Sequence, residues 1–346
     1  MVARKAAAAA ALLLIACGGG GAPAQTHVDM AAGNGGAPPA VPVGQKPPEG
    51  PPAHTVGGFG ITLPPVVLAA GEESYPCYLF PLEVMGPSRA VGAAVLRNSL
   101  GLHHGNITTV PSDGDDSVHP CPDDEYGSEA IDVARGGAVL FGSSTQFRGS
   151  EEWQHFPDGM GYRIPDGQQI AAHMHYLNAA TSPVTVSPVY EWFTIDESSL
   201  RQELTPFAFW MTHFQIPPYA ITTVSADCTL PDPRMHIVTV LPHMHNLGRA
   251  LFARFLGGPL DGTPFLSSPG YDPDNGVMLQ YDPAVDLSQG DGFTFGCTWD
   301  NESGDTVVEG FGQNEMCILF GYSYPKQTAY SVIASAAGSC SAILPR

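Results

Sequence analysis

The stretch "HIVTVLPHMH" runs from His236 to His245. Its opening residues are largely β-branched, which suits a strand on a half-buried sheet. In an extended chain residues i and i+2 project from one face. His243 and His245 therefore stand together if the strand continues through Pro242. Two imidazoles on one face make a ready bidentate metal site. The alternative is a pair of solvated histidines on an exposed sheet face.

Short runs of the same kind recur on both sides. They include "CYLFPLEV" (77–84), "VGAAVLRN" (91–98), "GAVLFGSS" (137–144), "VTVSPVYEWFTI" (184–195), "ALFARFL" (250–256), "FTFGCTW" (293–299) and "CILFGYSY" (317–324). Gly, Pro, Asp and Asn separate them, and no stretch keeps a helical period over three turns. With 40 Gly, 33 Pro and only 14% charged residues, the composition agrees with many short strands. The expected fold is all-β, built of antiparallel sandwiches. The 346 residues suffice for two ordinary domains or one large β domain. "DESSLRQEL" (196–204) is the most polar interruption. It divides the chain into expected domains 57–198 and 199–346.

The N-terminus reads as processing signal rather than fold. Arg4 and Lys5 precede an apolar run from Ala6 to Ile15 that is too short to span a bilayer comfortably. "LIAC" (14–17) resembles a bacterial lipobox, which implies a signal peptide over 1–16, cleavage before Cys17 and acylation of its thiol. Gly18 is not the aspartate that would retain such a protein at the inner membrane, so the expected place is the outer membrane or cell surface. Residues 17–56 are rich in Gly, Ala and Pro and read as a disordered tether. The formal net charge of −20 repels phosphates and anionic headgroups, so nucleic acid is not an expected partner and the membrane is met only through the lipid. Six further cysteines (Cys77, Cys121, Cys228, Cys297, Cys317, Cys340) suit three disulfides in an oxidising compartment. Spacing alone does not choose the pairs.

Histidines recur in close sets. "AHMHYLN" (172–178) repeats the His-x-His pattern at His173 and His175, and "GLHHGN" (101–106) adds His103 and His104. Adjacent strand residues point to opposite faces, so His103 and His104 share a metal only if the chain bends, and Gly105 is a candidate for the bend. Such sites suit zinc, copper, nickel or iron, and the lack of a nearby carboxylate weighs against a non-haem iron triad. Met174 and Met244 lie between paired histidines and are expected to face away from them. Met316 of "NEMCILFGYSYP" (314–325) adjoins Cys317, so a disulfide there would fix where its sulfur points. A thioether donor favours copper(I).

The order His-His, then a single His before Tyr, then His-x-His followed by Leu-Gly-Arg, then Glu-Met-Cys resembles the copper type II, ascorbate-dependent monooxygenases, among them the peptide α-hydroxylating and dopamine β-hydroxylating enzymes. The resemblance covers about residues 75–340 and implies two tandem jelly-roll-like β-sandwiches. It implies that His103, His104 and His175 hold an electron-storing copper in the first domain. His243, His245 and Met316 would hold an oxygen-activating copper in the second, across a gap. The implied reaction hydroxylates a substrate C–H bond with dioxygen and an external reductant such as ascorbate. Implied disulfides are Cys77–Cys121, Cys228–Cys340 and Cys297–Cys317. His236 matches a family histidine with a supporting role, and His173, which the family ligands do not match, is expected to support the first site from behind its ligands. Leu241, Ile318 and Phe320 stand where the peptide-amidating branch has Arg, Asn and Tyr. That departure points away from glycine-extended peptides and towards a more apolar substrate. Two other readings compete: a copper-buffering protein of the same fold without turnover, and a zinc hydrolase or purely structural β protein.

Overall fold

The computed structural model describes residues 41–98, 100–122, 137–143, 151–230, 232, 234–272, 278–310, 314–325, 329–333 and 340. The expected signal peptide, Cys17 and residues 17–40 lie outside the described residues. The fold is all-β: among the described residues there is no helix, and none therefore is long and apolar enough to cross a membrane.

The first half of the chain forms two main sheets. In one, Thr55–Thr62, Val189–Ile195, Ala90–Arg97 and Met160–Arg163 lie side by side, with Glu151–His155 also paired to Ala90–Arg97. In the other, the order is Cys77–Phe80, Gln168–Leu177, Leu102–Pro111, Val139–Gly142. Alternate residues of both enter one core. Phe59, Ile61, Val91, Leu96 and Trp192 come from the first sheet, and Phe80, Ile107, Ile170, Ala172 and Met174 from the second. Two sheets sharing the apolar faces of alternating strands make a sandwich.

The second half repeats the principle. One sheet runs Leu279–Asp286, His236–His243, Ile318–Tyr324, Thr205–Met211, and the other Ala220–Thr229, Gly292–Asn301, Gly248–Leu256, Pro264–Pro269. Phe207, Phe209, Val240 and Leu319 of the one meet Leu251, Phe255, Phe293 and Phe295 of the other. The chain passes between the two systems around Leu204: Gln202–Glu203 still pairs with Met160–Gly161, whereas Thr205 already pairs with Ser323.

The Ile318–Tyr324 sheet is covered on both faces. Val240 and Leu319 enter its own core, while their strand neighbours Val238, Leu241 and Tyr322 enter the core of the first half. That explains why His236–His243 reads as a nearly continuous apolar run rather than a strict alternation. The two halves therefore meet through a packed layer.

The three expected disulfides are present: Cys77–Cys121, Cys228–Cys340 and Cys297–Cys317. The expected tether is shorter than composition suggested. Gln45 exchanges both backbone hydrogen bonds with Gln280, and Pro52 is buried. Gly44 lies so close to the Tyr281 ring that a Cβ there would sit 3.1 Å from it. At Gly44 the missing side chain serves close approach.

Candidate metal centre

The geometry begins with a β-bulge. Along the Leu102–Pro111 and Gln168–Leu177 pair, Asn106 faces His173 and His104 faces His175, but Tyr176 then pairs with Leu102. His103 is the extra residue. A bulge lets two successive side chains leave the strand on the same side, and the rings of His103 and His104 sit 5.1 Å apart, with His175 at 4.5 and 4.9 Å from them. The bend is thus at His103 and not at Gly105. A Cβ at Gly105 would lie 2.4 Å from Met174 Cε and 2.9 Å from the Tyr190 hydroxyl, so glycine is there for core packing.

In the second half His243 ends its strand opposite Ile318, and His245 follows in a turn closed by Gly248 N–H donating to the His245 carbonyl at 3.0 Å. The His243 and His245 rings are 5.2 Å apart. Met174 and Met244 are fully buried in the two cores, facing away from the imidazoles as expected.

The turn is built around Glu315, a residue that sequence reasoning missed. Its buried carboxylate accepts from His245 N–H (2.9 Å), Leu247 N–H (2.7 Å) and Trp299 Nε1–H (2.9 Å). Burial nevertheless pushes its carboxyl up to about 7. His245 Nδ1 lies 2.8 Å from the Asn314 carbonyl, which fixes Nδ1 as the protonated nitrogen and leaves Nε2 as the ligating one. Tyr271 adds hydrogen bonds to both backbone groups of Met244. Met316, itself buried, is held between Glu315 and the Cys317 disulfide, two residues before Ile318, the partner of His243. The signal for Glu315 was present in "NEMC": a carboxylate inside an otherwise apolar stretch needs a structural employer.

The two histidine sets are not separated. His104 lies 5.5 Å from His243 and 6.2 Å from His245, and His103 lies 6.0 Å from His245, ring to ring. One nitrogen each of His103, His104 and His245 fall within 4.8 Å of one another. The expected gap is closed because the sheet bearing His243 packs its Leu241 and Tyr322 face directly on the first half. Burial, and next the neighbouring imidazoles, hold the cluster neutral: His103 falls to about 4, His175 to about 3, and His104 and His243 well below the ordinary range. Neutral imidazole is the form that binds metal.

A metal fits these residues. His103 Nδ1 and His245 Nε2 are buried and have no hydrogen-bond partner. Buried polar groups without partners are rare, and a ligated ion is one explanation of them. Neutral imidazole nitrogens form a donor set suited to copper among other transition metals.

Two neighbours complete the picture. The Tyr75 ring stacks on His175 at 4.3 Å, and its hydroxyl donates to Glu73 at 2.9 Å. His173 is buried one pair along from His175, beside Asn106 and Cys77. His236 is a correction. It begins the strand that His243 ends, roughly 20 Å away at about 3.3 Å per residue. There it stacks on Tyr324 at 4.7 Å and faces Asp286, so it does not support the metal ligands. A separate cleft is lined by Arg89, Arg163, Asp166, Glu197 and Glu203, whose charges pair among themselves.

These features define a buried histidine cluster, able to hold a metal ion, on an all-β frame. Residues 210–340, which carry His243, His245, Glu315 and Met316, match the model of the copper type II ascorbate-dependent monooxygenase C-terminal domain. That match supports the copper type II ascorbate-dependent monooxygenase family for the second half of the chain. No curated protein matches the chain. Among solved structures, the atomic structure of Sulfolobus Turreted Icosahedral Virus is 9% identical, with 77% of this chain and 90% of that chain covered at a TM-score of 0.35. PBCV-1 VP54, fitted into a reconstruction of the virophage Sputnik, is 7% identical, with 77% and 93% covered at a TM-score of 0.25. Likeness at that level carries no argument.

Proposed function

We propose that this protein is an exported copper-dependent monooxygenase. It would hydroxylate a C–H bond of a fairly apolar substrate with dioxygen and an external one-electron reductant such as ascorbate. The observation that carries the reading is the meeting of His103, His104 and His175 with His243 and His245, the latter two inside the family-matched second half. In this reading His103, His104 and His175 hold one copper ion, and His243, His245 and Met316 a second. Copper there supplies dioxygen activation and stored electrons.

The chain's own residues do the rest. Asn314 and Glu315 hold the His245 ring and its turn before any metal arrives. Leu241 pairs with Phe320 and His243 with Ile318, and directly opposed residues share a face. The ligand pair is thus continued by an apolar strip, which excludes water and offers no polar grip for a carboxylate. That supports an apolar substrate.

The reading extends to the parts not described structurally. The two sandwiches are tandem jelly-roll-like domains dividing near 199. A lipid on Cys17 anchors them at the outer membrane or cell surface. Cys17→Ser is expected to release the protein from the membrane fraction, and an unchanged fraction refutes lipidation.

For the activity, the protein is expected to bind two copper ions and to consume oxygen with ascorbate, faster when a substrate is present. Met316→Ile should leave the three-histidine site filled while lowering turnover by orders of magnitude. Copper uptake with no oxygen consumption under any substrate returns the buffering reading. Zinc near one equivalent in protein purified without added metal would favour a hydrolase, for which a thioether has no use.

A further inference from the structure

The strand Ala220–Thr229 lies at one edge of a four-stranded sheet in the second half. It pairs along its whole length with Gly292–Asn301. The end of that pairing fixes which backbone groups face the neighbour. Leu230 N–H donates to the Asp291 carbonyl at 2.8 Å, so even-numbered residues bond to the neighbouring strand. Odd-numbered residues face the edge, where Cys340 N–H donates to the Asp227 carbonyl at 3.0 Å. Ile221, Thr223 and Ser225 therefore present their N–H and C=O groups along the edge, with no backbone partner there among the described residues.

Open edges are normally guarded, and this chain guards others. Met85 exchanges both backbone hydrogen bonds with Gly58 on the edge strand Thr55–Thr62, and Gln45 does so with Gln280 on Leu279–Asp286. Pro264–Pro269, the opposite edge of the same sheet, begins and ends on proline. Residues 219–226 read "YAITTVSA", with no charge and no proline in a chain of net charge −20. Tyr219 and Ile221 are 77% and 74% exposed. An unguarded, neutral, β-branched edge is a template for another strand.

The edge is also complementary to itself. Antiparallel pairing about a two-fold axis at Thr223 sets the two Thr223 residues opposite each other, and Ile221 of each copy opposite Ser225 of the other. All of these residues face the edge, so each opposed pair can exchange two backbone hydrogen bonds. Opposed threonines are a favourable cross-strand pair. We propose that the protein forms a homodimer through this edge, joining two four-stranded sheets into one. The two-fold pairing is closed, and the proline-bearing edges left outside stop the assembly at two copies. The dimer does not depend on the metal reading.

The test is sedimentation velocity of the purified full-length protein over a dilution series. A reversible monomer–dimer equilibrium is expected. Thr223→Lys sets two like charges face to face at the axis. It should be monomeric at every concentration, with circular dichroism and melting temperature unchanged. Thr223→Cys should be joined into a dimer by a short bis-maleimide, with mass spectrometry locating the link at residue 223 of both copies. Unaltered protein that stays monomeric at every concentration overturns the proposal and leaves the edge to an extended segment of a different protein. A dimer that survives Thr223→Lys, with no link at residue 223, overturns it by placing the interface elsewhere. Should the lysine variant not fold, the cysteine link decides.

Discussion

Glu315 shows how a single buried side chain sets the turn that carries His245. Three donors converge on it, and Glu315→Ala leaves all three buried without an acceptor. At about 1–3 kcal/mol per orphaned group, the loss should be at least about 3 kcal/mol. Urea unfolding of the copper-free protein should show it, and copper affinity at the His243–His245 pair should fall with it. Glu315→Gln, which keeps an acceptor oxygen, should lose less. The cluster also predicts a pH dependence. Burial holds His103 down to about 4 and His175 to about 3, below the ordinary 6.5 of a free imidazole. Depressed histidines contribute stability that is fully present above the unfolded value and lost as pH falls towards the folded one. Copper-free protein should therefore lose stability below about pH 6.5, by roughly 3 kcal/mol from His103 alone by pH 4, at about 1.4 kcal/mol per unit. Flat stability across that window contradicts the burial of neutral imidazoles.

At the scale of the element, the period-two pattern made the strands legible, and with them the nearness of His243 and His245, although the strand ends at His243 and a turn carries His245. The bulge was not legible. "GLHHGN" states that two histidines are adjacent, but only the partner strand's register shows that His103 is the extra residue. Gly105 looked like a hinge and is a packing residue. Gly105→Ala should cost about 1–3 kcal/mol through overpacking against Met174 and Tyr190, measurable as a lower melting temperature with the disulfides intact. His236 misled for a related reason. Seven residues count as near in a helix but span a whole strand, so the motif carried it to the wrong end. Glu315 stayed hidden because a charge in an apolar run names no partner until the turn that it caps is seen.

For the whole molecule, composition and strand pattern pointed to the all-β class, and the pairing of cysteines was implied only by the family resemblance. The closeness of the two ligand sets was out of reach, because it depends on which face of the Ile318–Tyr324 sheet is covered and by what. Tyr322 is the side chain that most joins the halves. Tyr322→Ala should destabilise the protein by about 3–5 kcal/mol, read as a lower midpoint of urea unfolding.

The central claim is that this centre, loaded with copper, activates oxygen. The most direct measurement is oxygen uptake by anaerobically reduced, copper-loaded protein mixed with air-saturated buffer and a panel of apolar C–H compounds, with product mass read in parallel. The account predicts uptake by the unaltered protein, little by Met316→Ile, and a product heavier by one oxygen atom. Reduced, fully loaded protein that takes up no oxygen contradicts it.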